Sequence, residues 1–149
     1  MATLTTTLSE SITLNGSLRG SSNAVTTTGI VDVFERIVTC TTAQTTTIAV
    51  FATAPYTSAG AIEVGNVKYV RVTNLDDTAV IELAVVTTDS NYTVTLSAGQ
   101  SHILCQGSTV ALAEEDTTPS FGTMENLASL QVRPVSSESP QVEIFVGLA

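Results

Sequence analysis

Between Asn66 and Gly107 the chain reads NVKYVRVTNLDDTAVIELAVVTTDSNYTVTLSAGQSHILCQG, a series of short apolar-polar alternations separated by turn residues. Side chains on a strand alternate between faces, so a period of two over runs this short specifies half-buried β-strands and leaves no room for an amphipathic helix. Tyr92, Val94 and Leu96 against Thr93 and Thr95 give the cleanest example, and Ile81, Leu83 and Val85 against Glu82 give a second. Val70 and Val72 point to the core side of the Asn66 to Asn74 strand, with Lys68 near an edge or end. Asn74-Leu-Asp-Asp-Thr reads as a hairpin connection into Ala79 to Val86, Thr88-Asp-Ser-Asn as a second turn and Ser97-Ala-Gly-Gln as a third. Four strands in this stretch indicate an antiparallel meander or the core of a sandwich.

The flanks extend the pattern. Leu4, Leu8, Ile12 and Leu14 share one parity of a half-buried strand over Thr3 to Leu14, broken by Glu10 and closed by the turn pair Asn15-Gly16. Ser17 to Gly29 is small and polar, and is expected to form a long loop or arm that orders against a neighbour. In Gly29 to Cys40, Phe34, Ile37 and Val38 would also share a helical face, but the density of β-branched residues favours a strand, and Thr45 to Ala54 is a further strand, stopped by Pro55. AEEDTTPSFGTMEN, after Val110, reads as an acidic surface loop with one helical turn near Met124 to Leu130. Leu127 to Arg133 and Gln141 to Gly147 complete the chain. The expected fold is all-β: one antiparallel β-sandwich or jelly roll over residues 1–149, about eight to ten short strands and little helix, with an N-terminal strand and arm at 2–29.

Composition decides what such a fold presents to its surroundings. Charged residues are 13% of the chain, about half the usual share, and roughly one residue in six is threonine. Hydroxyl surface is cheaper to desolvate than charged surface, which favours packing against other subunits. The net charge of −9 and the scattered bases Arg19, Arg36, Lys68, Arg71 and Arg133 provide no basic patch, so neither nucleic acid nor an anionic membrane is an expected partner. The N-terminal MATLTTTLSE has neither the charged nor the apolar segment of a signal peptide, so synthesis in the cytoplasm is expected. In that compartment Cys40 and Cys105 are expected to be reduced, buried thiols, and the acceptor patterns at Asn15 and Asn91 to serve as turns.

Chemistry-bearing residues are sparse. His102 is the single histidine and has no nucleophile motif near it, so no catalytic residue is assigned and the chain is not expected to be an enzyme. Asp76 and Asp77, and Glu114, Glu115 and Asp116, are acidic clusters of the kind that hold hard cations or sugars, but neither has calcium-loop spacing. They are the low-ranking ligand loops of an alternative reading as a carbohydrate- or receptor-binding module, together with Asp89 and Asn91. No metal or cofactor is expected. With 5% aromatics and no tryptophan there is little to stack on a sugar, and Tyr56, Tyr69 and Tyr92 are read as packing residues across strands.

Tyr69, Arg71, Thr73, Asn74, Leu75 and Asp76 form YxRxTNLD, followed by Leu96, Ala98, Gly99, Ser101, Ile103 and Leu104 in LxAGxSxIL. Across this third of the chain the pattern resembles small β-rich virion proteins of tailed bacteriophages. The resemblance implies a capsid decoration (cement) subunit located in the virion, a homo-oligomer, with a trimer favoured, bound to other virion proteins such as the major capsid protein. A tail, neck or fibre component is the alternative within the particle. Leu4, Leu8, Ile12 and Arg19 are the candidate assembly contacts, on the strand and arm at the N-terminal end.

Overall fold

A computed structural model describes residues 1–57, 60–114, 118–119 and 121–149. The body is built from two antiparallel sheets packed face to face. One sheet contains β5 (Asp32–Thr39), β8 (Val67–Asn74), β11 (Ser101–Leu104) and β13 (Gln141–Leu148), in the order β11-β8-β13-β5. The other contains β6 (Thr46–Ala52), β7 (Ala61–Glu63), β9 (Ile81–Thr87), β10 (Asn91–Leu96) and β12 (Leu127–Pro134), in the order β10-β9-β12-β6-β7. Apart from the short parallel β7 and the β9–β10 hairpin, successive strands cross between the sheets, and this order is that of a jelly roll.

The inward faces follow the alternation in the sequence. Val70 and Val72 of β8, Ile81, Leu83 and Val85 of β9, Leu130 and Val132 of β12, and Val142, Ile144 and Val146 of β13 are all buried. Most of them are Val or Ile, whose β-branched side chains suit a pleated surface, and burying each of these residues contributes about 1.5–3 kcal/mol before entropy is counted. The edge strand β5 carries Asp32, Glu35 and Arg36, charges that discourage uncontrolled pairing along its open side.

Two expectations for this region are corrected. Of the two arrangements expected for Asn66–Gly107 the structure has the sandwich core and not the meander, and Asn74–Thr78 does not close a hairpin: β8 and β9 lie in different sheets, as do β10 and β11, and only β9 and β10 pair as a hairpin. The Asn74–Thr78 segment is therefore a corner between sheets about 10 Å apart. The helical turn near Met124 is replaced by an extended approach to β12, where Leu127 and Leu130 are wanted as buried core residues on a strand. The body has nine strands, and four more at the N-terminal end bring the total among the described residues to thirteen, above the eight to ten expected for the whole chain.

Those four strands differ most from expectation. β1 (Ala2–Ser9) pairs with β4 (Ser22–Ile30), and β2 (Ile12–Leu14) with β3 (Ser17–Arg19). Leu4 faces Thr27, Leu8 faces Asn23 and Ile12 faces Arg19, so both ladders keep one register and belong to one long hairpin. Ser17 to Gly29, expected as a loop, is its return limb. Asn15 and Gly16 close the tip with φ of 51° and 77°, the left-handed pair that a two-residue type I′ turn needs.

Gly20 sits where the hairpin ladder is interrupted. Its φ is 120°, and a Cβ there would lie 2.1 Å from the carbonyl oxygen of Glu10. Glu10 N–H donates to the Ser21 carbonyl at 2.8 Å beside it. Gly20→Ala is expected to break this crossing: amides of residues 8 to 23 should lose hydrogen-exchange protection at least tenfold, while those of β8, β9 and β13 keep theirs.

Candidate functional site

The hairpin is anchored only at its base. Ile30 is buried and Leu4 half-buried, and both approach Gly147 of β13 on the outer face of the β11-β8-β13-β5 sheet. A groove of about 240 Å³ between Leu4, Thr6, Tyr69, Arg71 and Phe145 marks this junction. Tyr69 and Phe145 meet edge to face, with ring centroids 6.1 Å apart, and supply the aromatic floor. Arg71 pairs with Glu143 at 2.7 Å and donates to the Thr73 hydroxyl at 2.6 Å, which fixes the polar side of the same floor.

Beyond Thr6 the arm is exposed. Opposed and alternate residues give it two faces: Leu8, Ile12, Leu14, Val25 and Arg19 on one, interspersed with Thr6, Glu10, Ser17 and Asn23, and Thr5, Thr7, Thr13, Thr26 and Thr28 on the other, with Leu18 beside Thr13. Leu8, Ile12 and Leu14 are 62%, 59% and 53% exposed, and Leu18 is 75% exposed. The half-buried alternation expected over Thr3 to Leu14 therefore holds only at Leu4, because the body ends beneath the base of the arm. The face with Leu8 and Ile12 continues the face that Leu4 lays on the sheet. Leu4, Leu8, Ile12 and Arg19 are brought onto one side of one hairpin, which Leu14 and Val25 extend; Leu18 is exposed on the other side, and neither Val25 nor Leu18 is marked by the sequence pattern. The signal available for them was the symmetry of two strand-length runs about Asn15-Gly16.

The acidic loops have structural employment. Asp76 Oδ1 accepts from the amides of Thr78 at 2.9 Å and Ala79 at 2.8 Å, which holds its carboxyl below the usual range and closes the corner after Asn74. Asp77 and Glu114 are exposed, and Glu115 and Asp116 lie outside the described residues. Asp89 and Asn91 flank the β9–β10 turn, where the Asp89 amide donates to Glu125 at 3.2 Å. Glu125 also accepts from the hydroxyls of Ser90 at 2.6 Å and Thr87, and these bonds lower its pKa. Among the described residues no three His, Cys, Asp or Glu side chains gather as metal ligands.

His102 is half-buried on β11, its Nε2 3.1 Å from the Tyr92 hydroxyl and its ring edge-on to the tyrosine. Burial lowers its pKa. Cys40 is buried and its thiol pKa is raised by that burial, whereas Cys105 is exposed, contrary to expectation, because it follows the end of edge strand β11. Tyr56 is also exposed, on a 3-10 turn outside the sheets, and packs across no strand.

These groups fix the direction of acid sensitivity. The depressed His102 pKa means that the unfolded chain binds its proton first, so stability falls as pH drops below about 6.5, until His102 protonates in the fold. Asp76 and Glu125 have depressed pKa values as carboxylates, so their contribution is present above about pH 4.5 and is lost as pH falls through their folded values. Urea unfolding midpoints are expected to fall in two steps on acidification, and His102→Gln should remove the upper step alone.

Compared with protein-family models and with curated proteins, the sequence finds no match.

Proposed function

We propose that this chain is a structural subunit of a bacteriophage virion, a capsid decoration (cement) protein that works by docking and carries out no bond-making. The observation that carries this reading is the N-terminal hairpin: a two-stranded ribbon projecting from a jelly roll, with an aliphatic face its own body leaves open. An isolated hairpin is marginal in water, and such a face lowers its free energy when a neighbour covers it. A stiff sandwich with a threonine-rich surface suits repeated placement on a lattice, where many copies make modest single affinities sufficient. Jelly rolls recur in capsid proteins, which adds weight by analogy.

In this role the chain associates with copies of itself, as a trimer, and with the major capsid protein, and it resides in the virion. Tail, neck or fibre placement would use the same arm. Immunogold electron microscopy of particles made by the host that carries the gene tests the reading. Regularly spaced label on the shell is expected; label confined to the tail moves the subunit within the particle, and unlabelled particles refute a virion role.

A further inference from the structure

We propose that the occupant of the arm's aliphatic face is a second copy of this chain, and that it docks on the outer face of that copy's β11-β8-β13-β5 sheet, along β5. The proposal rests on the assembly reading above and assigns its partner surface. Three observations point to it.

The first is continuity. Leu4 already lies on this kind of surface, beside Gly147 and the Tyr69–Phe145 floor of its own chain. The same face of the hairpin then runs on past the body through Leu8, Ile12 and Leu14. The second is that the sheet has uncovered apolar surface to receive it: Val33 and Ile37 point outward from β5 and are 45% and 56% exposed. Alternation along β5 puts Glu35 between them on that outer side, opposite Phe145.

The third is charge. Arg19 stands across from Ile12 on the arm, on the face that by alternation also carries Glu10, so the arm presents a cation and an acid among aliphatic side chains, and β5 presents the carboxylate of Glu35 between Val33 and Ile37 as a partner for Arg19. In a largely apolar contact this pair selects the register, because a wrong one leaves a charge against hydrocarbon. Size is compatible as well. From Thr7 to the tip the free part of the hairpin spans roughly 30 Å at about 3.4 Å per residue, so reciprocally exchanged arms approach the scale of a stable interface, about 800 Å² per partner.

Cross-linking tests the assignment directly. In a Cys105→Ser background, with Cys40 buried, full-length Ile12→Cys and Ile37→Cys chains carrying tags of different mass are co-expressed and treated with a short bis-maleimide. The mixed cross-linked dimer is expected at least tenfold above that from Ile12→Cys paired with Thr95→Cys, on the opposite sheet. Arg19→Glu and Glu35→Arg should each weaken self-association about tenfold, and the double reversal should regain most of it. Mixed dimer no more abundant than in the Thr95 control overturns the proposal. If light scattering still shows an oligomer in that case, the assembly reading stands with a different contact surface; a monomer removes the support for self-association too.

Discussion

Asn74→Ala is expected to destabilise the fold by about 2–4 kcal/mol, which for a chain of this length lowers the melting temperature by roughly 5–15 °C. Asn74 ends β8 and is fully buried. Its Nδ2 donates to the carbonyls of Ala79 at 2.8 Å and Leu96 at 3.1 Å, and its Oδ1 accepts from the Asp76 amide at 3.2 Å. Its backbone adds bonds to Gln100 and Gly99, so this one residue ties the corner after β8 to the turn after β10. Truncation leaves two buried carbonyls and one amide to find water in an apolar corner, which is why the loss exceeds that of an ordinary surface hydrogen bond. Asn74→Asp keeps the shape but sets a carboxylate against those carbonyls. It should be at least as damaging at pH 7 and partly relieved in acid, where the protonated carboxyl donates again. Urea unfolding decides the matter: a loss under about 1 kcal/mol for Asn74→Ala would show that the corner is held by something else.

The second large effect is on association. Leu8→Asp, Ile12→Asp and Leu14→Asp combined are expected to weaken self-association by more than about a hundredfold, since each aliphatic side chain is worth about 1.5–3 kcal/mol when covered. These positions lie beyond the arm's anchored base, so the unfolding midpoint of the body should move by no more than about 0.5 kcal/mol equivalent. The separation of the two readouts is the informative part. Thr7, Ser9 and Thr13, on the opposite face of the same ribbon, serve as the control: the same acidic changes there should leave association within a few-fold of the original.

Much of the body was legible in the sequence because its physics is local. Val70 and Val72, Ile81 to Val85 and Val142 to Val146 alternate as half-buried strands must, and they fill the core. Sheet membership was less accessible. A turn such as Asn74–Thr78 has the same composition whether it folds a hairpin or crosses between sheets; the buried Asn74 amide, bonded to Ala79 at the end of its own corner and to Leu96 at the end of β10, belongs to the crossing. The N-terminal return limb reads as a loop in the sequence because Ser17 to Gly29 offers few apolar anchors. It forms a strand by pairing with β1 across a well-specified Asn15-Gly16 turn, a non-local gain that composition does not display. Leu4, Leu8, Ile12 and Arg19 could be picked out one by one, but their placement on a common face depends on that pairing. The Asp76 loop shows the converse: an acidic pair that resembles a ligand site is engaged in closing its own turn.

The central claim, that the hairpin's aliphatic face joins copies of this chain, is tested most directly by light scattering of the full chain over a concentration series beside the Leu8/Ile12/Leu14 triple variant. The wild type should show a closed oligomer whose mass is a small multiple of 15.5 kDa, three being the expected value, and the variant a folded monomer. A wild-type chain that stays monomeric into the high micromolar range, or a variant that assembles as well as the wild type, would contradict it.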